Sequence, residues 1–394
     1  MDNTVFDFDT TINRRGTGSY KWDTPEDPEV IPLWVADMDF RTAPAIVSAL
    51  EKRVKQGIFG YTYVSEEYYD AVINWFRTEH SLEIERDWFV YTSGVVPAVS
   101  AIIKAMARPG DRVIVQTPAY NCFYSSIRNN ECVLASNPLI NDPDGTFRID
   151  FEGLERLAAE PDTTLLLLCN PHNPSGRCWT RKELERVGRI CLDNGVFVIS
   201  DEIHCELTFG DHHYTPFASL GEAFARNSAT CVSPSKAFNI AGLQIANILA
   251  PDPETRARID RAININEVCD VNPFGVVATI AAYSEGKPWL EALKSYIYGN
   301  YRELSEILER GVPQCRLAPL EATYLAWLDI RPTGLSAETV TEALLKRKKV
   351  MLNPGTMYGP EGEGFIRINL ACPRKQLRTA AVRLVELLQE MGGS

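Results

Sequence analysis

Apolar and polar residues follow both helical and strand-like patterns between residues 44 and 288 of the chain. Apolar positions recur at helical spacing over residues 44–56, 65–79, 95–107 and 181–194. Segments that are apolar on both faces, which is typical of buried strands, occur over residues 112–116, 163–169, 196–200 and 230–232. Because these strands are separated by helices, the pattern predicts a mainly parallel β-sheet that is covered by helices on both faces.

The pattern changes after residue 288. Here a long helical segment covers residues 289–310. It is followed by a short apolar segment at residues 324–329, a helix that begins at residue 337 and another short apolar segment at residues 364–370. Such a mixture is typical of an α+β domain. The chain has 394 residues, more than the ~250–300 residues at which a single core stops growing. We therefore predict an α/β protein with a large domain over residues 44–288 and a small domain formed by residues 1–43 and 289–394.

Composition and charge exclude several classes of protein. Apolar residues make up 45% of the chain and charged residues 23%, which is typical of a globular protein and not of a disordered chain or a coiled coil. The formal net charge of −12 repels a phosphate backbone, so we expect no nucleic-acid partner. The densest basic run, at residues 346–349, is typical of a solvated helix end.

The sequence also favours a particular compartment. The first ten residues contain three Asp and no Lys or Arg, unlike the start of a signal peptide. No segment approaches the ~20 apolar residues that a membrane-spanning helix needs. Ten cysteines are scattered without a CxxC pair, several of them in apolar segments where a free thiol acts as a small hydrophobe. We therefore expect a protein of the reducing cytoplasm with no membrane partner.

Polar side chains follow the ends of the predicted strands. The motif NPHNPSG occupies residues 170–176 and places Asn173 in a rigid loop. Asp201 and His204 follow the next strand, and the motif SPSK brings Lys236 after the strand at residues 230–232. Because ligands of such sheets bind at the carboxyl ends of the strands, we expect these side chains to share one site.

Two further elements belong to the same edge of the sheet. Residues 92–95, with the sequence TSGV, open a helix whose free N–H groups and dipole suit a phosphate group. Tyr120 follows the strand at residues 112–116 and offers a ring that can stack on a flat cofactor. Each element alone is common, but their joint occurrence at strand ends indicates a cofactor site.

Over nearly its whole length, the chain resembles the pyridoxal-phosphate (PLP) enzymes of the class I and II aminotransferase family, which have the fold type I architecture. The resemblance implies that Lys236 forms the Schiff base with PLP and that Asp201 pairs with the pyridine nitrogen. It implies that Asn173 bonds the ring oxygen and that Tyr120 stacks on the ring. An ionised Asp201 would keep the ring protonated as an electron sink. The resemblance thus makes Lys236, Asp201 and Tyr120 the catalytic residues.

The resemblance also implies residues for the phosphate and the substrate. The expected phosphate contacts are Gly94, Val95, Ser233, Ser235 and, across a homodimer interface, Tyr61. Arg367, in the motif FIRIN, is expected to bind the substrate carboxylate, for which its planar fork is suited. Asp37 and Tyr61 are further expected substrate contacts. Shared active sites would make the protein a homodimer.

Several positions depart from the common aminotransferase pattern. Gln244 replaces an arginine eight residues after the lysine, His204 replaces a tyrosine near the aspartate, and Val95 replaces a hydroxyl residue. These departures resemble the C–S β-lyase branch, which includes cystathionine β-lyase, and leave His204 as an expected cofactor contact. Further motifs of this branch are WVADMDF, SGVVP, SDEIH and KAFNIAG, at residues 34–40, 93–97, 200–204 and 236–242.

The resemblance to this branch implies α,β-elimination. L-cystathionine or another cysteine S-conjugate would be cleaved to a thiol such as homocysteine, pyruvate and ammonia, with Lys236 removing the Cα proton. The alternative within the family is an aminotransferase that acts on an L-amino acid and a 2-oxo acid, since both reactions share their early steps. Fold alone does not decide between them.

Two alternatives belong to other classes of protein. A metal hydrolase would use oxygen and nitrogen ligands, for which the sequence offers Asp37, Asp39, Glu202, His204 and Glu206. No HExxH motif is present, and we predict no metal. The other alternative is a PLP-binding protein whose main role is a regulatory contact with another protein.

Overall fold

The computed structural model describes residues 6–267 and 270–392. Its helices are α1 Tyr20–Asp23, α2 Pro44–Gln56, α3 Glu66–His80, α4 Val95–Met106, α5 Asn121–Asn129, α6 Phe151–Ala158, α7 Arg181–Asp193, α8 Glu222–Arg226, α9 Pro253–Asn264, α10 Pro273–Glu285, α11 Lys287–Gly311, α12 Ala337–Lys348 and α13 Arg374–Gly392. Its strands are β1 Ile31–Pro32, β2 Phe89–Thr92, β3 Arg112–Thr117, β4 Val133–Pro138, β5 Ile140–Asn141, β6 Phe147–Arg148, β7 Thr163–Cys169, β8 Phe197–Asp201, β9 Ser228–Val232, β10 Ala246–Leu249, β11 Arg316–Leu317, β12 Leu325–Asp329, β13 Val350–Met351, β14 Asn353–Pro354 and β15 Phe365–Asn369.

The main sheet has seven strands in the order β2-β10-β9-β8-β7-β3-β4. From β9 to β4 all neighbouring strands are parallel, whereas β10 is antiparallel to both β9 and β2. The predicted α/β class with a mainly parallel sheet is therefore confirmed. The reversed strand β10 is an addition that the sequence pattern did not indicate.

Both faces of the main sheet are buried, which explains the continuous apolar strands. In β7, Leu165 and Leu167 join the core that includes α4, while Leu166 and Leu168 join the core that includes α7. Successive side chains of a strand point to opposite faces, so a strand that is covered on both sides has no polar alternation. All four leucines are fully buried, and their removal from water stabilises both layers.

A second, antiparallel sheet has the order β11-β12-β15-β14 and lies in the C-terminal part of the chain with α11, α12 and α13. The N-terminal segment joins this part, because β1 pairs in parallel with β13 and places Ile31 opposite Val350. We propose the division into residues 44–288 and residues 1–43 with 289–394 as two domains, and this pairing supports it.

Most predicted elements lie within one or two residues of their observed bounds. Strand β8 extends one residue further than predicted and includes Asp201, so this carboxylate stands in the strand rather than after it. The nine described cysteines are all free thiols, and Cys269 lies outside the described residues. Among the described residues, no helix combines the length and the apolar character that crossing a membrane requires.

Candidate active site

A cavity of about 190 Å³ lies at the carboxyl ends of the parallel strands of the main sheet. The sequence-predicted residues that line it are Gly94, Val95, Tyr120, Asn173, Asp201, His204, Ser235 and Lys236. They come from segments that are far apart in the sequence and meet because the strand ends share one edge. The structure therefore brings most of the predicted residues into one concave site.

The loop after β9 positions the lysine. The backbone N–H of Ser235 donates to the Ser233 hydroxyl at 3.1 Å, and that hydroxyl donates to the Ile245 carbonyl at 2.6 Å. Ser233 thus stabilises the loop, while Ser235 and Lys236 line the cavity. The phosphate contact expected of Ser233 stays a prediction.

Lys236 is partly buried and lies close to other charged side chains. Its Nζ donates to the carbonyl oxygen of Ala36 at 2.7 Å. Burial, together with the positive charge of Arg367, lowers the pKa of Lys236 to about 8, although the carboxylates of Asp37 and Asp201 oppose the shift. A larger share of the side chain is therefore neutral near pH 7 than for an exposed lysine, which suits a nucleophile and a base.

Asp201 is the buried carboxylate of the cavity. Burial raises its pKa to about 7, while the hydrogen bond from the Ile203 N–H at 3.1 Å and the charge of Lys236 oppose the rise. A positively charged ligand atom beside this carboxylate would favour its ionised form. The position is therefore suited to a positively charged group of a ligand, such as the protonated ring nitrogen that the resemblance implies.

His204 lines the same cavity and is almost completely buried. Burial, together with the charges of Lys236 and Arg367, lowers the pKa of His204 to about 3, so the imidazole is neutral at physiological pH. Its Nδ1 atom is buried and has no hydrogen-bond partner among the described residues. Buried polar atoms are normally satisfied, so this atom indicates that a ligand completes the site.

Arg367 lies next to the cavity, in β15. Its Nη1 donates to Asn173 Oδ1 at 3.3 Å, its Nη2 donates to the Trp34 carbonyl at 3.0 Å, and its guanidinium lies 4.6 Å from the ring centroid of Tyr358. Within residues 6–267 and 270–392, no carboxylate lies at ion-pair distance from this buried cation. The arrangement is suited to a carboxylate on a ligand.

Tyr120 and helix α4 form the remaining walls. Tyr120 lines the cavity immediately before α5 and makes an edge-to-face contact with Phe123, with ring centroids 6.0 Å apart. Burial raises the pKa of the Tyr120 hydroxyl, so it stays protonated. Gly94 is the N-cap of α4, whose first N–H groups have no partner within the helix. This helix end can therefore bind an anionic group such as a phosphate.

Asp37 and Tyr61 are two further predicted residues that do not line the cavity. The carboxylate of Asp37 pairs with Arg14 at 2.7 Å and does not line the cavity. Tyr61 exposes 98% of its surface, and Phe59 and Tyr63 near it are also exposed. The substrate contact expected of Asp37 stays a prediction. An exposed Tyr61 could contact a site only in another molecule or after a movement of its segment, so its role also stays a prediction.

Sequence reasoning missed two groups at the site. The Ala36 carbonyl accepts from Lys236 and also from the Tyr324 hydroxyl, at 2.8 Å. Tyr324 is buried immediately before β12, and burial raises its pKa. An aromatic residue with a polar tip at the start of an apolar strand was the available signal. Nothing in the sequence indicated that the backbone carbonyl of a residue 200 positions before Lys236 would accept a hydrogen bond from it.

The residues of the metal alternative do not converge. Asp37 and Asp39 pair with Arg14, whereas Glu206 pairs with His80 at 3.0 Å and accepts from Trp75 at 2.7 Å. The remaining two are Glu202, which accepts from Ser200 at 2.8 Å, and His204 in the cavity. Carboxylates that are already bound to cations and N–H groups are poorly suited to a shared metal.

The fold and the residues of the cavity are typical of a PLP-dependent enzyme, and the comparison with known proteins agrees. The sequence model of the family described as "Aminotransferase class I and II" matches residues 28–384, and the chain belongs to this family. The chain is 44% identical over 381 residues to cystathionine beta-lyase PatB of Bacillus subtilis (strain 168), which covers 96% of this chain and 98% of that protein.

Two solved structures are similar over almost their full length. Cystalysin from Treponema denticola, whose crystal structure contains a pyridoxal 5'-phosphate cofactor, is 34% identical with a TM-score of 0.95, over 98% of this chain and 99% of that chain. The PLP-bound C–S lyase from Staphylococcus hominis is 32% identical with a TM-score of 0.91, over 98% and 99% of the two chains. The resemblance to the PLP-dependent family and its C–S lyase branch is therefore confirmed.

Proposed function

We propose that this protein is a PLP-dependent carbon–sulfur β-lyase that cleaves L-cystathionine or another cysteine S-conjugate. The products are a thiol, pyruvate and ammonia. The observation that carries the proposal is the pairing of the partly buried Lys236 with the buried Asp201 in one cavity, in a chain that is 44% identical to a cystathionine β-lyase over nearly its full length. Enzymes of this kind need a lysine amine and a carboxylate of the protein that both contact the same cofactor.

The residues present fit PLP. Lys236 would hold the cofactor covalently, Asp201 would bind the ring nitrogen, and Asn173 and His204 would bind ring substituents. Tyr120 would contact the ring, and the N–H groups that follow Gly94 would bind the phosphate together with Ser235. When bound, PLP supplies an electron sink for the negative charge that develops at the substrate Cα.

The chain itself orients the substrate and moves a proton. Arg367 binds the α-carboxylate, which brings the Cα–H bond of the substrate toward the cavity. The released Lys236 amine accepts the Cα proton at Nζ, for which its lowered pKa of about 8 provides the neutral form. The sulfur then leaves Cβ with the electron pair of the C–S bond. Burial of Asp201, His204 and Arg367 limits the contact of these steps with water, and one water molecule is consumed only afterwards, when the three-carbon product is hydrolysed to pyruvate and ammonia.

Product analysis tests this function against the aminotransferase alternative. The protein is incubated with L-cystathionine, once alone and once with an added 2-oxo acid. We expect equal amounts of pyruvate, ammonia and homocysteine in both samples. Transfer of the amino group that requires the 2-oxo acid, without thiol release, would establish an aminotransferase instead.

The pKa of Lys236 predicts a pH dependence for cofactor loading. Only the neutral amine can form a bond to the PLP aldehyde, and its pKa is lowered from the ordinary 10.5 to about 8. The rate of loading of the cofactor-free protein should therefore rise with pH and level off above about pH 8. Stopped-flow absorbance against pH measures this, with a small free amine as the control reactant. A rate that keeps rising beyond pH 10, as for an exposed lysine, would contradict the assignment.

We further propose a homodimer in which Tyr61 of one subunit completes the active site of its partner. The free cysteines also favour a location in the reducing cytoplasm. The segment around Tyr61 supports the homodimer, because Ile58, Phe59 and Tyr63 are also exposed. Apolar and aromatic side chains that cluster on a surface are typical of an interface.

Mixed dimers test the shared site. Chains with Lys236→Ala and chains with Tyr61→Ala are unfolded together, mixed and refolded. If Lys236 and Tyr61 of different subunits form one site, a mixed dimer contains one fully native site, and activity should return well above that of either parent. If activity equals the average of the two separately refolded parents, the site is not shared. Sedimentation of both parents as dimers is the control.

A further inference from the structure

The carbonyl oxygen of Ala36 determines where the amine of Lys236 lies. Lys236 Nζ donates to this oxygen at 2.7 Å and the Tyr324 hydroxyl donates to it at 2.8 Å. A carbonyl oxygen has two lone pairs, so these donors use its whole capacity. The position of the amine in the cofactor-free protein therefore depends on the backbone at residue 36.

The segment that carries Ala36, residues 34–40, has no regular secondary structure and is held mainly by side chains, beside one backbone bond from the Asp39 N–H to the Ala371 carbonyl at 2.9 Å. On one side, Asn369 Nδ2 donates to the carbonyls of Val35 and Asp37 at 2.6 and 2.7 Å. Asn239 Nδ2 donates to the Met38 carbonyl at 3.1 Å. Because a backbone segment without a ladder of its own has no internal constraint, its position depends on such contacts.

On the other side, two cations from the N-terminal segment hold the same backbone. Arg14 donates to the carboxylate of Asp37 at 2.7 Å, to that of Asp39 at 2.8 Å and to the Met38 carbonyl at 3.0 Å. Lys21 donates to the Asp39 carboxylate at 3.0 Å and to the Asp37 carbonyl at 3.2 Å. The peptide units on the C-terminal side of Ala36 are thus fixed by ion pairs as well as by amides.

Burial distinguishes the Lys21–Asp39 pair from an ordinary surface ion pair, whereas Arg14 and Asp37 are each 24% exposed. Lys21 is fully buried, and Asp39 is 3% exposed. A buried ion pair contributes little net stability, because desolvation of both charges offsets their attraction. Directional contacts on a segment next to the cavity point instead to a role in geometry.

We infer that Arg14 and Lys21 are positioning residues for Lys236, because they fix the Ala36 carbonyl that holds its amine. The inference rests on the proposed function of Lys236 as the residue that bonds the cofactor and accepts the Cα proton. Neither cation lines the cavity. A displacement of about 1 Å at the reacting group can slow a reaction by about 10²-fold, so a remote cluster can affect the chemistry.

Arg14→Met tests the inference, with Arg15→Met as the matched control. Arg15 holds the same N-terminal segment through the carbonyls of Trp22 and Val30, at 2.7 and 2.8 Å, but its bonds do not reach residues 36–39. If the cluster only attaches the N-terminal segment, the two variants should behave alike. Arg14→Lys keeps the positive charge and should therefore retain part of the rate that Arg14→Met loses. Lys21→Met serves as the second variant if Arg14→Met does not fold.

The first readout needs no substrate. PLP is added to the cofactor-free protein, and the rise of absorbance near ~420 nm reports the bond to Lys236. We expect Arg14→Met to slow this rise by about 10-fold or more and Arg15→Met to leave it within about two-fold of the unmodified protein. The second readout is turnover of an α-deuterated substrate. Here kcat should fall with an unchanged KM, and the isotope effect should rise, because removal of the Cα proton becomes slower.

Equal loading rates in Arg14→Met and Arg15→Met, or loss of kcat without a change in loading rate, would overturn the inference. The readouts also separate it from the proposed function. If the unmodified protein releases no pyruvate but Arg14→Met still slows loading, the positioning role stands and the lyase assignment fails. If the unmodified protein releases pyruvate and the loading rate is unchanged in Arg14→Met, the lyase assignment stands and the positioning role fails.

Discussion

Lys236→Ala is expected to lower the rate of pyruvate release by about 10⁴-fold, because the substitution removes the base that accepts the Cα proton. The variant also loses the amine that bonds PLP, so its absorbance near ~420 nm should be absent. Pyruvate assays under saturating substrate measure the first effect, and a spectrum of the PLP-treated protein measures the second.

The control for this variant is Lys52→Ala, which removes an exposed lysine of α2. Its activity should match that of the unmodified protein. A small amine added to the solution could enter the space left by the missing side chain, and partial recovery of activity would show that the amine itself was lost. Full activity of Lys236→Ala without added amine would refute the assignment of Lys236.

Asp201→Asn is expected to lower kcat by about 10²- to 10³-fold, the range found when one preorganised electrostatic contact is removed. The amide keeps the shape of the side chain but cannot carry the negative charge that favours a protonated ring nitrogen. Substrate binding through Arg367 is untouched, so KM should change little. Steady-state kinetics against the substrate concentration separate the two parameters.

Glu202→Gln is the matched control, since Glu202 is also buried but does not line the cavity. Its carboxylate accepts from the Phe217 N–H at 2.9 Å and from the Ser200 hydroxyl at 2.8 Å. Glu202→Gln should therefore destabilise the fold by about 1–3 kcal/mol and leave kcat largely unchanged. An equal loss of kcat in both variants would mean that removing either of these two buried charges has the same effect on the reaction, and that Asp201 has no special role.

The general fold was predictable because burial on both sheet faces makes strands such as β7 continuously apolar. The site residues Asn173, Asp201 and Lys236 were predictable for a related reason: each lies at or just beyond a strand end. Local sequence patterns were therefore sufficient to predict both the main sheet and the central residues of the site.

Contacts between distant segments could not be predicted in this way. Strand β10 runs antiparallel beside β2, about 150 residues away in the sequence, and its short apolar run does not reveal its direction. The contact between Ala36 and Lys236 involves a backbone carbonyl, whose position no side-chain pattern encodes. Likewise, the buried Lys21 resembles an exposed lysine in the sequence, because its partners lie in another segment.

The most direct test of the central claim is pyruvate release from L-cystathionine by the PLP-loaded protein, with no 2-oxo acid present. Coupling to lactate dehydrogenase measures pyruvate, and a thiol reagent measures homocysteine in the same sample. A C–S β-lyase predicts continuous release of both products in equal amounts. A single turnover that stops without pyruvate or thiol, and resumes as amino-group transfer when a 2-oxo acid is added, would contradict this function.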